Sequence, residues 1–171
     1  MIVILAGVSG SGKTTIGELL SLRLGWSFTD GDQLHPAANI AKMASGQPLT
    51  DEDRKPWLAA IGACMDEQNA AGQSALIACS ALKRRYRDQL LAGRPGARIV
   101  FLRISKSDAS RRLAGRHGHF FDPVLLDSQF AALEPPAPGE RSVLDVPVGD
   151  DPAGTADAVI RRLGLTGSAH V

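Results

Sequence analysis

Three observations predict an α/β fold in which a parallel sheet is covered by helices on both faces. Short apolar runs alternate with helical patterns along the chain, the order that a parallel sheet with crossover helices requires. The first apolar run, residues 1–6, passes directly into Gly7-Val8-Ser9-Gly10-Ser11-Gly12-Lys13-Thr14, and a helical pattern follows at once. Finally, 171 residues with 44% apolar content amount to one domain able to bury a real core.

Strands are expected over residues 2–6, 26–30, 75–80, 98–104 and 143–146. The helix behind the glycine-rich stretch carries a stripe of Ile16, Leu19, Leu20 and Leu24. Between the second and third strands lies a helical insert. Its first helix covers 36–44 and is closed by Gly46. Thr50 is then an N-cap, with Asp51, Glu52 and Asp53 in the first turn, and Pro56 fits the first turn of a following helix. Trp57, Ile61 and Met65 recur every four residues, the spacing of a core-facing stripe. Residues 83–91 read as a helix, and Ser107 is expected to cap another that reaches about Leu113. The polar stretch 114–122 is a loop between helices, and Pro123 opens the helix carrying Val124, Leu125, Phe130 and Leu133. Pro135, Pro136, Pro138 and Gly139 break the chain before the last strand. Residues 157–163 are expected to form the closing helix, with a frayed tail from Gly164.

Nineteen Lys and Arg against eighteen Asp and Glu leave no net field to attract nucleic acid or a membrane surface. The first strand begins at Met1 and no apolar run nears the ~20 residues of a membrane span, so a cytoplasmic protein is expected. Cys64 and Cys79 stand in helical and strand patterns, with no C-x-x-C spacing, and read as reduced core residues.

Residues 7–14 match G-x-x-x-x-G-K-[ST] in its strand-then-helix setting, the phosphate loop of P-loop NTPases. Its glycines let successive backbone N–H groups point at phosphate oxygens, Lys13 adds a charge near the β and γ phosphates, and the Thr14 hydroxyl suits Mg²⁺. Gly7, Ser9, Gly10, Ser11, Gly12, Lys13, Thr14 and Thr15 are thus the nucleotide-binding candidates. Asp30-Gly31-Asp32 closes the second strand, where ligands bind in open parallel sheets. One of its carboxylates can hold a water of the Mg²⁺ shell while the other serves as general base, or the pair is simply a turn entering a helix. Lys83, Arg84, Arg85 and Arg87 follow the third strand and either clamp an anionic substrate or form a solvated helix face. Arg54 and Lys55 either contact substrate or pair with neighbouring acids. His35, before Pro36, is either a polar contact or a helix-start residue. Arg111 to Phe121 suits a lid that brings cations to a transferring phosphoryl group, or an exposed connector. His117 and His119 lack a third residue spaced to complete a zinc site.

Over nearly the whole chain, from Ile2 to about Leu163, these motifs resemble the gluconate kinase family. They are Gly-Val-Ser-Gly-Ser-Gly-Lys at 7–13, Asp-Gly-Asp at 30–32, Leu-His-Pro at 34–36, Asn39, Lys-Met-Ala-Ser-Gly at 42–46, Pro48-Leu49, Asp53-Arg54 and Pro56-Trp57-Leu58. Further along stand Ser-Ala-Leu-Lys at 80–83, Tyr-Arg-Asp at 86–88, Gly-His-Phe at 118–120, Ser-Gln-Phe at 128–130 and Leu-Glu-Pro at 133–135. Thr14 where serine is frequent, Phe121-Asp122 in the lid and Ala132 where threonine is frequent are small departures.

The resemblance implies a single domain over 1–171, similar to shikimate and adenylate kinases. It would hold a five-stranded parallel sheet, a substrate-binding insert at about 34–72 and a lid at about 114–123. It implies transfer from ATP, with Mg²⁺, to the C6 hydroxyl of gluconate, in a homodimer. By similarity Asp30 would hold the Mg²⁺ water shell, Asp32 would act as base, Arg112 would stack on adenine and Arg116 would approach the phosphates. Lys13, Asp32 and Arg116 are then the catalytic candidates, and Asp32, His35, Arg54, Lys83, Arg84, Arg87 and His119 the acceptor-binding ones. A kinase for another small hydroxy acid such as shikimate, or a nucleotide-dependent switch, is the alternative.

Overall fold

The computed structural model describes residues 1–116 and 123–165. Five strands, β1 (Ile2–Ala6), β2 (Ser27–Asp30), β3 (Ala75–Ala78), β4 (Arg98–Arg103) and β5 (Val143–Pro147), form one sheet in the order β2-β3-β1-β4-β5. Every pairing is parallel, with Ile4 opposite Ile77 on one side and Ile99 on the other. β1 is buried throughout, as expected of a central strand with helices on both faces.

Because side chains alternate along a strand, one apolar sequence feeds two cores. Ile2, Ile4, Ala75, Ile77, Ile99 and Phe101 face one layer, which Trp57, Leu58, Ile61 and Met65 of α3 (Asp51–Ala70) and Tyr86 and Leu90 of α4 (Arg84–Leu91) complete. Val3, Leu5, Leu76, Val100 and Leu102 face the other, against Ile16 and Leu20 of α1 (Lys13–Leu24) and Ala156 and Val159 of α7 (Pro152–Arg162). The insert's first helix is α2 (Ala37–Ala44). A third, smaller cluster caps the strand C-termini, where Val8 and Leu82 meet Ala109 and Leu113 of α5 (Lys106–Ala114) and Leu126 of α6 (Pro123–Ala132).

The element order agrees with the sequence, and four local expectations need correction. Thr50 and Asp53 form a reciprocal capping box, and the helix it starts runs unbroken to Ala70. Pro56 therefore lies inside α3 rather than opening a second helix; its missing N–H leaves one intrahelical bond unmade near the start. Ser105, not Ser107, caps α5 by accepting from the Asp108 N–H at 3.1 Å. α7 begins at Pro152, well before residue 157, because Asp151 accepts from the Ala153 N–H and proline suits the first helical position. β3 ends at Ala78, although the chain stays tied to β1 as Gly7 N–H donates to the Ser80 carbonyl. The expected tail from Gly164 lies almost wholly outside the described residues. Among those residues, no helix is long and apolar enough to cross a membrane.

Candidate active site

The phosphate loop joins β1 to α1 at the C-terminal edge of the sheet. Gly7, Gly10 and Gly12 have φ of 137°, 82° and 93°, which a residue with a Cβ adopts only under strain. Neighbours leave Gly7 and Gly10 no more room than their angles do. A Cβ would stand 2.8 Å from the Leu102 carbonyl oxygen at Gly7 and 2.9 Å from that of Ala109 at Gly10. The Lys13 Nζ donates to the carbonyls of Gly7 and Val8, both at 2.9 Å, arching back over the loop. Burial lowers the Lys13 pKa, with Asp32 and Asp30 among the groups pulling it back up. Ser11 Oγ is fully buried and has no hydrogen-bond partner among the described residues. An inward-facing orphan hydroxyl, left-handed glycines and a helix N-terminus together fit a bound phosphate chain.

Asp30-Gly31-Asp32 is held rigidly. Asp30 Oδ1 accepts from the Asp32 N–H at 3.0 Å, which caps the single 3₁₀ turn Gly31–Leu34. Gly31 packs so tightly on β3 that a Cβ there would fall 2.1 Å from the Ala78 carbonyl oxygen. The indole Nε1 of Trp57 donates to the Gly31 carbonyl at 2.8 Å. Trp57 thus does more than fill the core: it fixes the bend between the two acids.

Three adjoining chambers lie along this edge. A central one of about 310 Å³ is lined by Ser9, Lys13, Thr14, Asp30, Asp32 and Arg116. On one side, about 350 Å³ is bounded by Gly10, Gly12, Thr15, Arg112, Gly149 and Arg116. On the other, about 240 Å³ is walled by Ser9, Lys13, Asp32, His35, Arg54, Ser128 and Gln129. Ser9, Lys13 and Asp32 belong both to the central chamber and to this last one, labelled the acceptor-side chamber after the sequence-predicted acceptor residues His35 and Arg54 that line it. The Thr14 hydroxyl and the carboxylates of Asp30 and Asp32 share the central chamber, a hard-oxygen donor set suited to Mg²⁺ alongside phosphate oxygens.

In the acceptor-side chamber the buried His35 ring stacks on Trp57, with centroids 4.2 Å apart. Asn39 donates through Nδ2 to His35 Nδ1 at 3.2 Å and to the Asp53 carbonyl at 2.8 Å. His35 therefore carries its proton on Nε2. Burial depresses the ring's pKa, Arg54 adds to this, and Asp32 opposes it. Arg54 reaches from α3 and anchors one guanidinium nitrogen on the Leu49 carbonyl at 2.6 Å.

The cationic run after β3 does not converge on either chamber. Arg87, an acceptor-binding candidate from sequence, is fully buried. It makes a bidentate pair with Glu140 at 2.7 and 2.8 Å and donates to the carbonyls of Ala81, Leu82 and Glu134. Arg84, a second candidate, is exposed beside Asp88, while its backbone N–H donates to Glu134. Lys83, the third, is bound to Asp51, which also accepts from Tyr86 and pairs with Arg85. Arg54 is thus the one expected acceptor-side cation that lines the chamber among the described residues. His119, with the centre of the expected lid, lies outside them.

In sequence, Gln129 stands only as the middle of the Ser-Gln-Phe motif at 128–130. Its Oε1 accepts the Ser9 N–H at 2.7 Å and its Nε2 donates to Ser9 Oγ at 2.9 Å, across 120 residues of chain. Cys64 and Cys79 are free thiols, as expected, and burial pushes Cys79 up to about 12.

The shikimate kinase family model matches residues 9–129. A gluconokinase of Gluconobacter oxydans is 49% identical over 138 residues, covering 81% of this chain and 78% of that protein. The crystal structure of a gluconokinase from Sinorhizobium meliloti superposes with a TM-score of 0.82 at 44% identity, over 94% of this chain and 91% of that one. An unliganded sugar kinase from a Janibacter species gives a TM-score of 0.89 at 40% identity, over 96% and 95% of the two chains.

Proposed function

The chain belongs to the gluconokinase family, and we propose that its three chambers hold the adenosine, the phosphate chain and the sugar acid of a single phosphoryl transfer. The reaction is the ATP-dependent phosphorylation of D-gluconate at its C6 hydroxyl. The observation that carries the assignment of chambers is that Ser9, Lys13 and Asp32 wall both the central and the acceptor-side spaces, so donor and acceptor meet at those three residues.

Phosphoryl transfer asks little covalent work of a protein and much positioning and charge compensation. Lys13 supplies a positive charge beside the phosphoryl group, and its tether to two loop carbonyls fixes that charge before substrate arrives. Mg²⁺, held through Thr14 and the water shell on Asp30, would offset charge on the β and γ phosphates. Asp32 takes the proton of the C6 hydroxyl as that oxygen bonds to phosphorus and the bond to the ADP oxygen breaks. Its carboxylate is steered by the Asp30 cap and the Trp57–Gly31 bond rather than by a flexible loop.

Arg112 and Arg116 line the space assigned to adenosine, and Arg116 continues into the central chamber. On the acceptor side, Arg54 is the cation for the gluconate carboxylate and His35 presents its Nε2–H to a hydroxyl. A polyol needs such directional partners, and a site that provides them rejects analogues lacking the matching hydroxyl.

Replacing Asp32 by Asn tests the reading. The expected outcome is a fall in kcat of about 100-fold or more, the usual worth of a positioned base, with ATP affinity nearly unchanged. An ATP affinity loss as large as the kcat loss would move Asp32 to the nucleotide side. Turnover of ATP by the wild-type protein that is indifferent to gluconate would overturn the acceptor assignment.

A further inference from the structure

Gln129 stands on α6, beyond both the phosphate loop and the insert, yet its carboxamide meets Ser9, a loop residue that lines both the central and the acceptor-side chambers. The Ser9 N–H can only donate, so the oxygen of the amide must face it, and the amide nitrogen therefore faces Ser9 Oγ. The orientation of this side chain is set by chemistry. A carboxamide has two N–H donors and two acceptor lone pairs, and Ser9 takes one of each. One N–H and one lone pair remain, on a half-buried group that lines the acceptor-side chamber with Asp32, His35 and Arg54.

We propose that Gln129 is a specificity-determining residue for the acceptor: its remaining N–H donates to one hydroxyl of the sugar-acid chain, at a distance gauged from the phosphate loop through Ser9. The inference rests on the functional reading given above. Arg54 and His35 belong to the insert, so by themselves they fix the acid relative to the insert. Gln129 fixes it relative to the loop. An acceptor with a hydroxyl at the right separation from its reacting end satisfies both references, whereas one with that hydroxyl absent or displaced leaves a half-buried donor unpaired. The contact also explains why a polar side chain occupies α6 next to Leu126 and Phe130, which pack into the apolar cluster around Val8.

The test combines Gln129→Leu with acceptors that each lack one hydroxyl of gluconate, from C2 to C5, with ATP binding measured separately. In the wild type, one of the four deoxy acids should lose about tenfold or more in kcat/KM, the value of a lost hydrogen bond in a desolvated site. In Gln129→Leu, gluconate itself should fall by a similar factor. The penalty for that same deoxy acid should vanish while the other three keep theirs, a coupling that a purely structural role would not produce. ATP affinity should change less than threefold. Gln129→Asn, which keeps the amide but shortens its reach, should behave like Gln129→Leu and guards against a folding defect in the latter.

A uniform loss across all acceptors, or a matching loss of ATP affinity, would make Gln129 a strut of the phosphate loop and overturn the inference alone. No change in either variant would overturn it as well. A wild-type protein unable to phosphorylate gluconate would instead overturn the functional reading, and this inference with it.

Discussion

Arg87 donates from its Nε and both terminal nitrogens to Glu140 and to three carbonyls, a set that satisfies a buried guanidinium nearly completely. Removing it by Arg87→Met leaves Glu140 buried without a counter-charge, and about 3–5 kcal/mol of stability should be lost in chemical denaturation. The same pair predicts a pH dependence. Arg87 holds the Glu140 pKa below its usual value, so the unfolded chain binds the proton more readily. The stabilisation is complete above the unfolded carboxyl's pKa near 4.3 and declines as pH falls through the folded value. Glu140→Gln should flatten the acid limb of the denaturation midpoint against pH; an unchanged limb would show that other carboxylates govern it. The guanidinium also spans a strained point, because Ala81 has φ of 40°, left-handed and without glycine's freedom. None of this could be read from Lys83 to Arg87 in sequence. Spacing tells which cations share a helix face, but the partner of Arg87 lies 53 residues away, and no local pattern announces it.

The insert shows what single elements contribute. Thr50 and Asp53 cap α3 reciprocally, Asp53 also binds Lys42 of α2, and these bonds hold its carboxyl down to about 2. The cap places α3 so that Trp57 reaches Gly31 and Arg54 reaches the acceptor side. Thr50→Ala should therefore cost about 1 kcal/mol of stability and raise the KM for gluconate more than that for ATP. Equal effects on the two constants would separate the cap from acceptor binding. At this scale the sequence was readable where physics is local. All five strands stand where the sequence predicted them, with β3 two residues shorter, and the pattern is plainest in the buried β1, β3 and β4. The N-cap of α3 was visible as Thr50 with three acids behind it, though not the reciprocal bond from Asp53 that makes it a capping box. Pro56, Ser107 and residue 157 misled, since proline is tolerated inside a well-anchored helix and two nearby serines compete for one cap. The site divides the same way. The loop and Asp30-Gly31-Asp32 are contiguous and legible, whereas the Gln129–Ser9 contact joins segments that only the fold brings together.

Across the whole molecule, one sheet edge carries the three chambers side by side, while the two cores beneath are continuous and apolar. Ligands bound there should stabilise the native state as a unit. A non-hydrolysable ATP analogue at about 100 times its Kd should add about 2.7 kcal/mol, or about 5–10 °C in Tm for a domain of this size. Scanning calorimetry with and without the analogue measures it, and the shift should disappear when Lys13 is replaced by Met. A Tm indifferent to nucleotide would contradict the assignment of the central chamber.

The pairing of Arg87 with Glu140 also imposes a timetable on synthesis. When the ribosome has made residues 1–87, the guanidinium nitrogens of Arg87, which brace the carbonyls of Ala81 and Leu82, still lack their counter-charge. They acquire it only when the glutamate 53 positions after Arg87 has left the exit tunnel. The chamber bounded by Arg112 and Gly149 also waits for residues beyond Glu140, so the whole edge is finished only when most of the chain has been made.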